Sequence, residues 1–449
     1  MRNGFTLVPD PISRCRPLFR QLMTAIGAGL ICAACGSDAP PEGQVGHLVE
    51  NFGGVVSDEP RSALVGRDIL SSGGTAVDAA VATFFALAVT YPGAATLGGG
   101  GYCVVYAGGG DKVEAIDFRP ALFSAGSRAV MIPGSVRGMF AMHARYGRLK
   151  WEALLLPAER LARFGNAVPR AFARQIAGLP DEAFSDPGLR RLFAPDGKPL
   201  AEGDMLRQTA LSTIIAGIRV RGPGEFYAGD LAKSLAAELG QTAGIDVPVS
   251  AFREYRPKWL ATEVVNVGND EVHMPPGPGA TAARAAWRAM ADEQPPPAVE
   301  SGASFDSAGF VAMDLAGGAV SCVVTANGTL GAARMIGETG IIAAAPPRDD
   351  TFPGLPMVLV NLPLQDARGA AAGSGGALVA LRGIRTAVNA FVEEVPPAQA
   401  FGPAAKPGPR IAAGRANVIS CPKGARDGPE LCRFAADPAG YGLAVSAAF

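Results

Sequence analysis

Histidine is nearly missing from this chain: His47, His143 and His273 are the only three in 449 residues. None has a neighbouring side chain of metal-ligand type, and paired-cysteine zinc spacing is absent, so the sequence calls for no metal and no other cofactor. The same shortage leaves a Ser-His-Asp triad without an evident base. Charge is sparse too. Only 18% of residues are charged, the net charge is −1, and no long basic run follows the N-terminal region. Nucleic-acid binding therefore lacks its electrostatic footprint. No internal repeat divides the chain. What is abundant is apolar residues (48%), glycine (58) and proline (37), the composition of a packed core with many tight turns rather than of a disordered chain. The length allows one large core or two smaller ones.

The N-terminus reads as a processing signal. Arg2, Arg14, Arg16 and Arg20 precede a short apolar stretch, Leu22–Ala34, and Cys32-Ala-Ala-Cys35-Gly-Ser-Asp overlaps its end. This resembles a bacterial lipoprotein signal with Cys35 as the acylated residue. A plain secretory peptide or a single membrane anchor are the other readings, although thirteen residues are few for a span. The expectation is a signal peptide over 1–34 and a mature protein on the periplasmic side of the bacterial cell envelope. A lipid on Cys35, with Ala39–Gln44 as a tether, would hold it to the membrane. In that oxidising compartment Cys421 and Cys432 are expected to close a disulfide around the turn-rich Pro422–Glu430. Cys103 and Cys322 lie in apolar, strand-like runs and read as buried small hydrophobes.

Along the chain, Asp58–Ser72 and the stretch from Ala76 to Tyr91 have helical patterns, the second apolar nearly all round behind a Thr75 cap. The run Leu97-Gly-Gly-Gly-Gly101 lacks the Lys-Ser/Thr of a phosphate loop and leads into a strand, which points to close backbone packing. Val113–Phe118 is a strand that delivers Arg119, whose planar fork suits a carboxylate as well as open solvent. Helices fill most of 133–239, strands Val264–Met274, and a helix Thr281–Ala291. Near the C-terminus Gly373-Ser-Gly-Gly376 precedes the helix Leu378–Phe391, where bare backbone N–H groups suit an anion or oxyanion. Between these, Ala308–Met313 and Ala319–Val324 form a hairpin about the turn Asp314–Gly318. The hairpin brings Ser307, at the start of one strand, beside Thr325 and Asn327, at the end of the other. On those residues alone, ordinary sheet edges with polar ends are the favoured reading.

Taken in order, these segments resemble the γ-glutamyltransferase (glutathione hydrolase) family of N-terminal nucleophile hydrolases, from about residue 53 to the end. The likeness rests on Val55-Val-Ser-Asp58, Gly73-Gly-Thr-Ala-Val-Asp-Ala-Ala-Val-Ala82, Gly98–Gly101, Ile116-Asp-Phe-Arg119 and Ile132-Pro-Gly-Ser-Val-Arg-Gly138. Tyr146-Gly-Arg-Leu-Lys-Trp151, Glu254-Tyr-Arg-Pro257, the hairpin and Glu338-Thr-Gly-Ile-Ile342 extend it. The resemblance implies an α+β fold, a four-layer αββα sandwich, and a precursor that cuts itself. The cut would fall at Asp306–Ser307 and leave a large part, 35–306, and a small part, 307–449, associated in one intertwined domain. Ser307 matches the nucleophile, with its own new α-amine as base, so that no histidine is required. Thr325 matches the residue that hydrogen-bonds that amine, and Gly375 and Gly376 match the oxyanion glycines. Arg119 matches the arginine for the substrate α-carboxylate, Asn327 a substrate contact, and Asp349 the carboxylate that receives the α-amine.

The chain departs from the family pattern mainly on the substrate side. Serine stands where the nucleophile is usually threonine, Ala344-Ala345-Pro346 replaces Asn-Asn-Glu/Gln, and Val358-Leu359 stands for a Ser-Ser pair that holds the α-carboxylate. Each hydrogen bond lost to a charged group is worth about 1.5–3 kcal/mol, so two or three losses weaken recognition by about 10³-fold or more. The expected function is a self-processing periplasmic enzyme that hydrolyses or transfers the γ-glutamyl or a related acyl group of glutathione-like amides through Ser307. The alternative is a catalytically silent, uncleaved relative that serves as an envelope binding or structural protein.

Overall fold

The computed structural model describes residues 53–292, 294, 307–347, 354–375, 377–401 and 415–446. Cys35, Asp306, Asp349 and Gly376 lie outside the described residues. The chain runs from β1 (Gly54–Ser57) through helices Pro60–Ser71 and Ala76–Thr90 to β2 (Gly100–Tyr106) and β3 (Val113–Asp117). A ribbon of β4 (Ala121–Ala125) and β5 (Arg128–Ile132) follows. A largely helical stretch then contains the short pair β6 (Asn166–Ala167) and β7 (Met205–Leu206). Next come β8 (Lys258–Ala261), β9 (Glu263–Val267), β10 (Asp270–Met274) and the helix Pro278–Ala291. The remaining elements are β11 (Ser307–Met313), β12 (Ala319–Thr325), β13 (Gly354–Asn361), β14 (Asp366–Ser374), the helix Ala377–Phe391, β15 (Arg415–Ser420), β16 (Arg433–Ala436) and β17 (Leu443–Ser446).

Two antiparallel sheets carry the fold. The first has seven strands in the order β17-β1-β11-β12-β2-β3-β8, and the second has six, β16-β15-β14-β13-β10-β9. The period-2 alternation of each strand sorts the core into three bands. Val55, Cys103, Val105, Phe310, Ala312 and Val324 face the helices on one side of the first sheet. Val56, Val104, Val311 and Val323 meet Val358, Val360, Ala370 and Ala372 between the sheets. Met357, Leu359, Ala371 and Val418 pack beneath Trp287, Ile384 and Val388 of the outer helices. The layers are helix, sheet, sheet, helix. Ala76–Thr90 is buried at every residue, as its all-round apolar pattern demands, and Thr75 with Asp78 closes a capping box at its start. Among the described residues no helix is long and apolar enough to cross a membrane.

Strand β14 escapes sequence reading because Asp-Ala-Arg-Gly-Ala-Ala-Ala-Gly-Ser is rich in poor strand formers. Its small side chains serve the packing. A Cβ placed on Gly309 of β11 would lie 3.3 Å from the Ala372 Cβ, so both strands need small residues where the sheets touch. The reading of Cys103 and Cys322 requires a correction. They are direct partners across β2 and β12 and form a disulfide. Both are fully buried, but apolar strand runs carry no signal of the register that opposes them. Cys421 and Cys432 are also disulfide-bonded.

Candidate active site

β11 opens at Ser307 and β12 ends at Thr325. The two are register partners, each 1% exposed, and Thr325 in turn pairs with Gly100 of β2. Thr325 Oγ1 accepts the Asn327 N–H at 2.9 Å, with Asn327 at φ +61°, a conformation asparagine tolerates better than most residues. The Asn327 Nδ2 donates to the Ala345 carbonyl at 2.8 Å and so braces the loop 343–347. The second sheet supplies the other side. β14 ends at Ser374, and Gly375 takes φ +103°, which a side chain would strain, immediately ahead of the helix Ala377–Phe391. The Gly375 N–H donates to Ser307 Oγ at 2.6 Å. A hydroxyl at a helix N-terminus, with an N–H aimed at it, lies where developing negative charge is stabilised.

Arg119 stands at the same end of the first sheet. Tyr102 pairs with Asp117, and the Phe118 N–H bonds to the Gly101 carbonyl, so the register continues to a row Ser307, Thr325, Gly100, Arg119. Three strand steps put Arg119 about 14 Å from Ser307 along that row. Its guanidinium is half-exposed, salt-bridged to Asp117 at 3.0 Å and centred 4.7 Å over the Tyr102 ring. The Tyr255 hydroxyl donates to the Arg119 carbonyl at 3.0 Å, and burial pushes its pKa well above the usual tyrosine value, which keeps it a donor. A second guanidinium arrives from the other sheet. Arg415 of β15 is the register partner of Ser374, and its Nη1 donates to the Tyr91 Oη at 2.5 Å.

Behind Ser307 lies a carboxylate that the sequence reading left outside the site. Asp58 follows β1, is 2% exposed, and accepts three hydrogen bonds. Gly309 N–H and Ser374 Oγ each donate to Oδ2 at 2.7 Å, and Asn417 Nδ2 donates to Oδ1 at 2.8 Å. The motif Val55-Val-Ser-Asp58 held the signal, but its partners come from β11, β14 and β15, hundreds of residues away. Val358-Leu359 needs a correction as well. Both are buried in mid-β13, where Val358 pairs with His273, whereas the end of β13 nearest Gly375 is Gly354, partner of Ser374. The apolar pair therefore replaces nothing at the Ser307 end. Among the described residues no group of three or more His, Cys, Asp and Glu gathers as for a metal ion.

A family model described as Gamma-glutamyltranspeptidase matches residues 62–296, just over half of the chain. The chain belongs to the gamma-glutamyltranspeptidase family. Among curated relatives, Glutathione hydrolase 3 of Arabidopsis thaliana is 32% identical over 256 residues, covering 53% of this chain and 40% of that protein. The Glutathione hydrolase proenzyme of Escherichia coli (strain K12) is 34% identical over 240 residues, covering 47% and 41%. The chain thus spans less than half the length of these relatives. A solved cephalosporin acylase from Bacillus halodurans superposes with a TM-score of 0.69 at 18% identity, over 88% of this chain and 96% of that one, and so shares its fold. Within the gamma-glutamyltranspeptidase match lies Arg119. Ser307, Thr325, Asn327 and Gly375 fall beyond its end, and Asp58 just before its start.

Proposed function

We propose that this chain is a self-processing enzyme of the glutathione hydrolase type, which hydrolyses or transfers the γ-glutamyl or a related acyl group of an amide through an ester on Ser307. The observation that carries the reading is the Gly375 N–H on Ser307 Oγ, at a strand start whose register partner is Thr325. In the processing step, Ser307 Oγ adds to the Asp306 carbonyl and the peptide C–N bond breaks. The proton passes to the Ser307 nitrogen, leaving an ester. Water hydrolyses that ester, freeing the Asp306 carboxylate and the Ser307 hydroxyl and α-amine. In turnover, the α-amine takes the Oγ proton as Oγ attacks the substrate carbonyl, and the Gly375 N–H holds the oxyanion. The leaving amine departs with that proton. Water or a second amine then releases the acyl group.

Two guanidiniums at this end, Arg119 and Arg415, favour an acyl donor that carries a carboxylate. The arginine-rich N-terminus with Cys35 supports export to the periplasmic side of the envelope and lipid anchoring there. The deciding experiment is the intact mass of the exported protein under reducing conditions, with N-terminal sequencing. A fragment that begins Ser307-Ala-Gly-Phe supports the reading. A single uncut chain with no turnover of γ-glutamyl-p-nitroanilide or glutathione overturns it.

A further inference from the structure

We infer that Asp58 is the positioning residue of this site: its buried carboxylate fixes the nucleophile on one sheet against the oxyanion donor on the other. The inference rests on the reading of Ser307 as nucleophile and deepens it. Ser307 and Gly375 belong to different sheets, and apolar packing between sheets is not directional. Small residues at the contact, Gly309 and Ala372, bring the strands close without defining how far one slides along the other. Hydrogen bonds to a charged acceptor do define it.

Asp58 supplies them at the reacting end. Its own N–H donates to the Gly309 carbonyl at 3.2 Å while its Oδ2 accepts the Gly309 N–H, so both backbone polar groups of β11 are held two residues after Ser307. The same Oδ2 accepts the Ser374 hydroxyl, one residue before Gly375. Oδ1 accepts Asn417 Nδ2, and that amide also donates to the Gly309 carbonyl at 2.8 Å, closing the clamp through β15. One side chain thus links the backbone beside the nucleophile to the side chain beside the oxyanion donor. Exchanging a carboxylate oxygen for an amide NH₂ would set a donor against the Ser374 hydroxyl and Gly309 N–H, or against Asn417 Nδ2. Either way the clamp opens.

The test compares Asp58→Asn with Asp314→Asn, Ser374→Ala and Ser307→Ala in the full-length exported protein. Asp314 is a fair control because it too is a buried carboxylate with three hydrogen-bond donors, at the far end of the same hairpin. Positioning predicts that Asp58→Asn slows self-cutting and lowers kcat about 10²-fold, the cost of misplacing a reacting group by about an ångström. KM should stay within about threefold, since the acyl donor's binding groups are untouched. Ser374→Ala, which removes one bond and spares the fold, should lower kcat about tenfold in the same pattern. Asp314→Asn should lower the melting temperature and leave kcat unchanged. If Asp58→Asn and Ser374→Ala retain the parent kcat, or if Asp314→Asn slows turnover as much, the clamp is only structural and the inference falls. If Ser307→Ala remains cut and active, the nucleophile reading fails instead.

Discussion

The two ends of the β11–β12 hairpin use the same chemistry for opposite purposes. At the turn, Asp314 accepts the Ala316 and Gly318 N–H groups at 3.0 and 2.9 Å and the Ala76 N–H at 2.7 Å, so a single carboxylate shapes the turn and caps the central helix. At the open end, Asp58 accepts a backbone N–H and two side-chain donors and fixes strands that carry Ser307 and Gly375. The Asp314 partners are all main chain, and all are needed by the fold. Two of the Asp58 partners, Gly309 and Ser374, lie close in sequence to Ser307 and Gly375. A cleft of about 420 Å³, lined by Gly54, Met313, Asp314, Cys432 and Phe434 among others, opens at the turn end, seven residues of β11 from Ser307. The active site proposed above lies at the other end, where a hydroxyl, a positive-φ glycine N–H and a helix N-terminus converge.

The largest effect should come from Ser307→Ala. It should abolish both self-cutting and turnover, with a loss of about 10⁴-fold or more, as when a lone nucleophile is removed from a concerted site. Intact mass and a chromogenic γ-glutamyl amide report the two losses. Turnover in an uncut Ser307→Ala chain would reassign the active end. The Cys103–Cys322 disulfide gives the next test. Cys103 belongs to 35–306 and Cys322 to 307–449, so the bond spans the proposed cut. The cut enzyme should migrate as one species on a denaturing gel and split in two only when reduced. Two fragments without reductant would mean that the bond does not form. In the uncut chain its separation of 219 residues is worth about 5 kcal/mol of loop-closure entropy, and the 11 of Cys421–Cys432 about 3 kcal/mol. Cys421 lines the cleft at the turn end, so replacing Cys421 and Cys432 together by serine should lower the unfolding free energy by that amount and leave kcat alone. A slowed kcat would show that the two ends are not independent.

Sequence made the hairpin legible because both of its strands are apolar runs about a glycine turn, and it made Ser307, Thr325 and Asn327 visible as polar ends. The central helix was legible through its cap and unbroken apolar run. What stayed hidden shares one cause: it depends on what the opposite sheet presents. β14 looks like a linker until β11 lies on it, where alanine and glycine become the residues that fit. Cys103 and Cys322 look like core until register sets them face to face. Asp58 looks like the N-terminal edge of a helix, and its three partners are reachable only after both sheets are assembled. Val358-Leu359, read as a loss of substrate contacts, is ordinary mid-strand core.

The smallest predicted effect tests whether the reacting end also recognises substrate. Arg119 shares the row of Ser307 but differs from Asp58 in kind: half-exposed, held by Asp117 and the Tyr102 ring, and about three strands away. If it receives the substrate carboxylate, Arg119→Ala should raise KM about 10- to 100-fold, the worth of one charged hydrogen-bonding pair, and change kcat little. The Asp117 partner is a surface pair, so its loss should hardly touch stability. An acyl donor that lacks the α-carboxylate separates the possibilities, because its KM should be the same with Arg119 or alanine. Equal KM for the carboxylate-bearing donor as well would remove Arg119 from recognition and leave Arg415, the partner of Ser374, as the guanidinium to replace next.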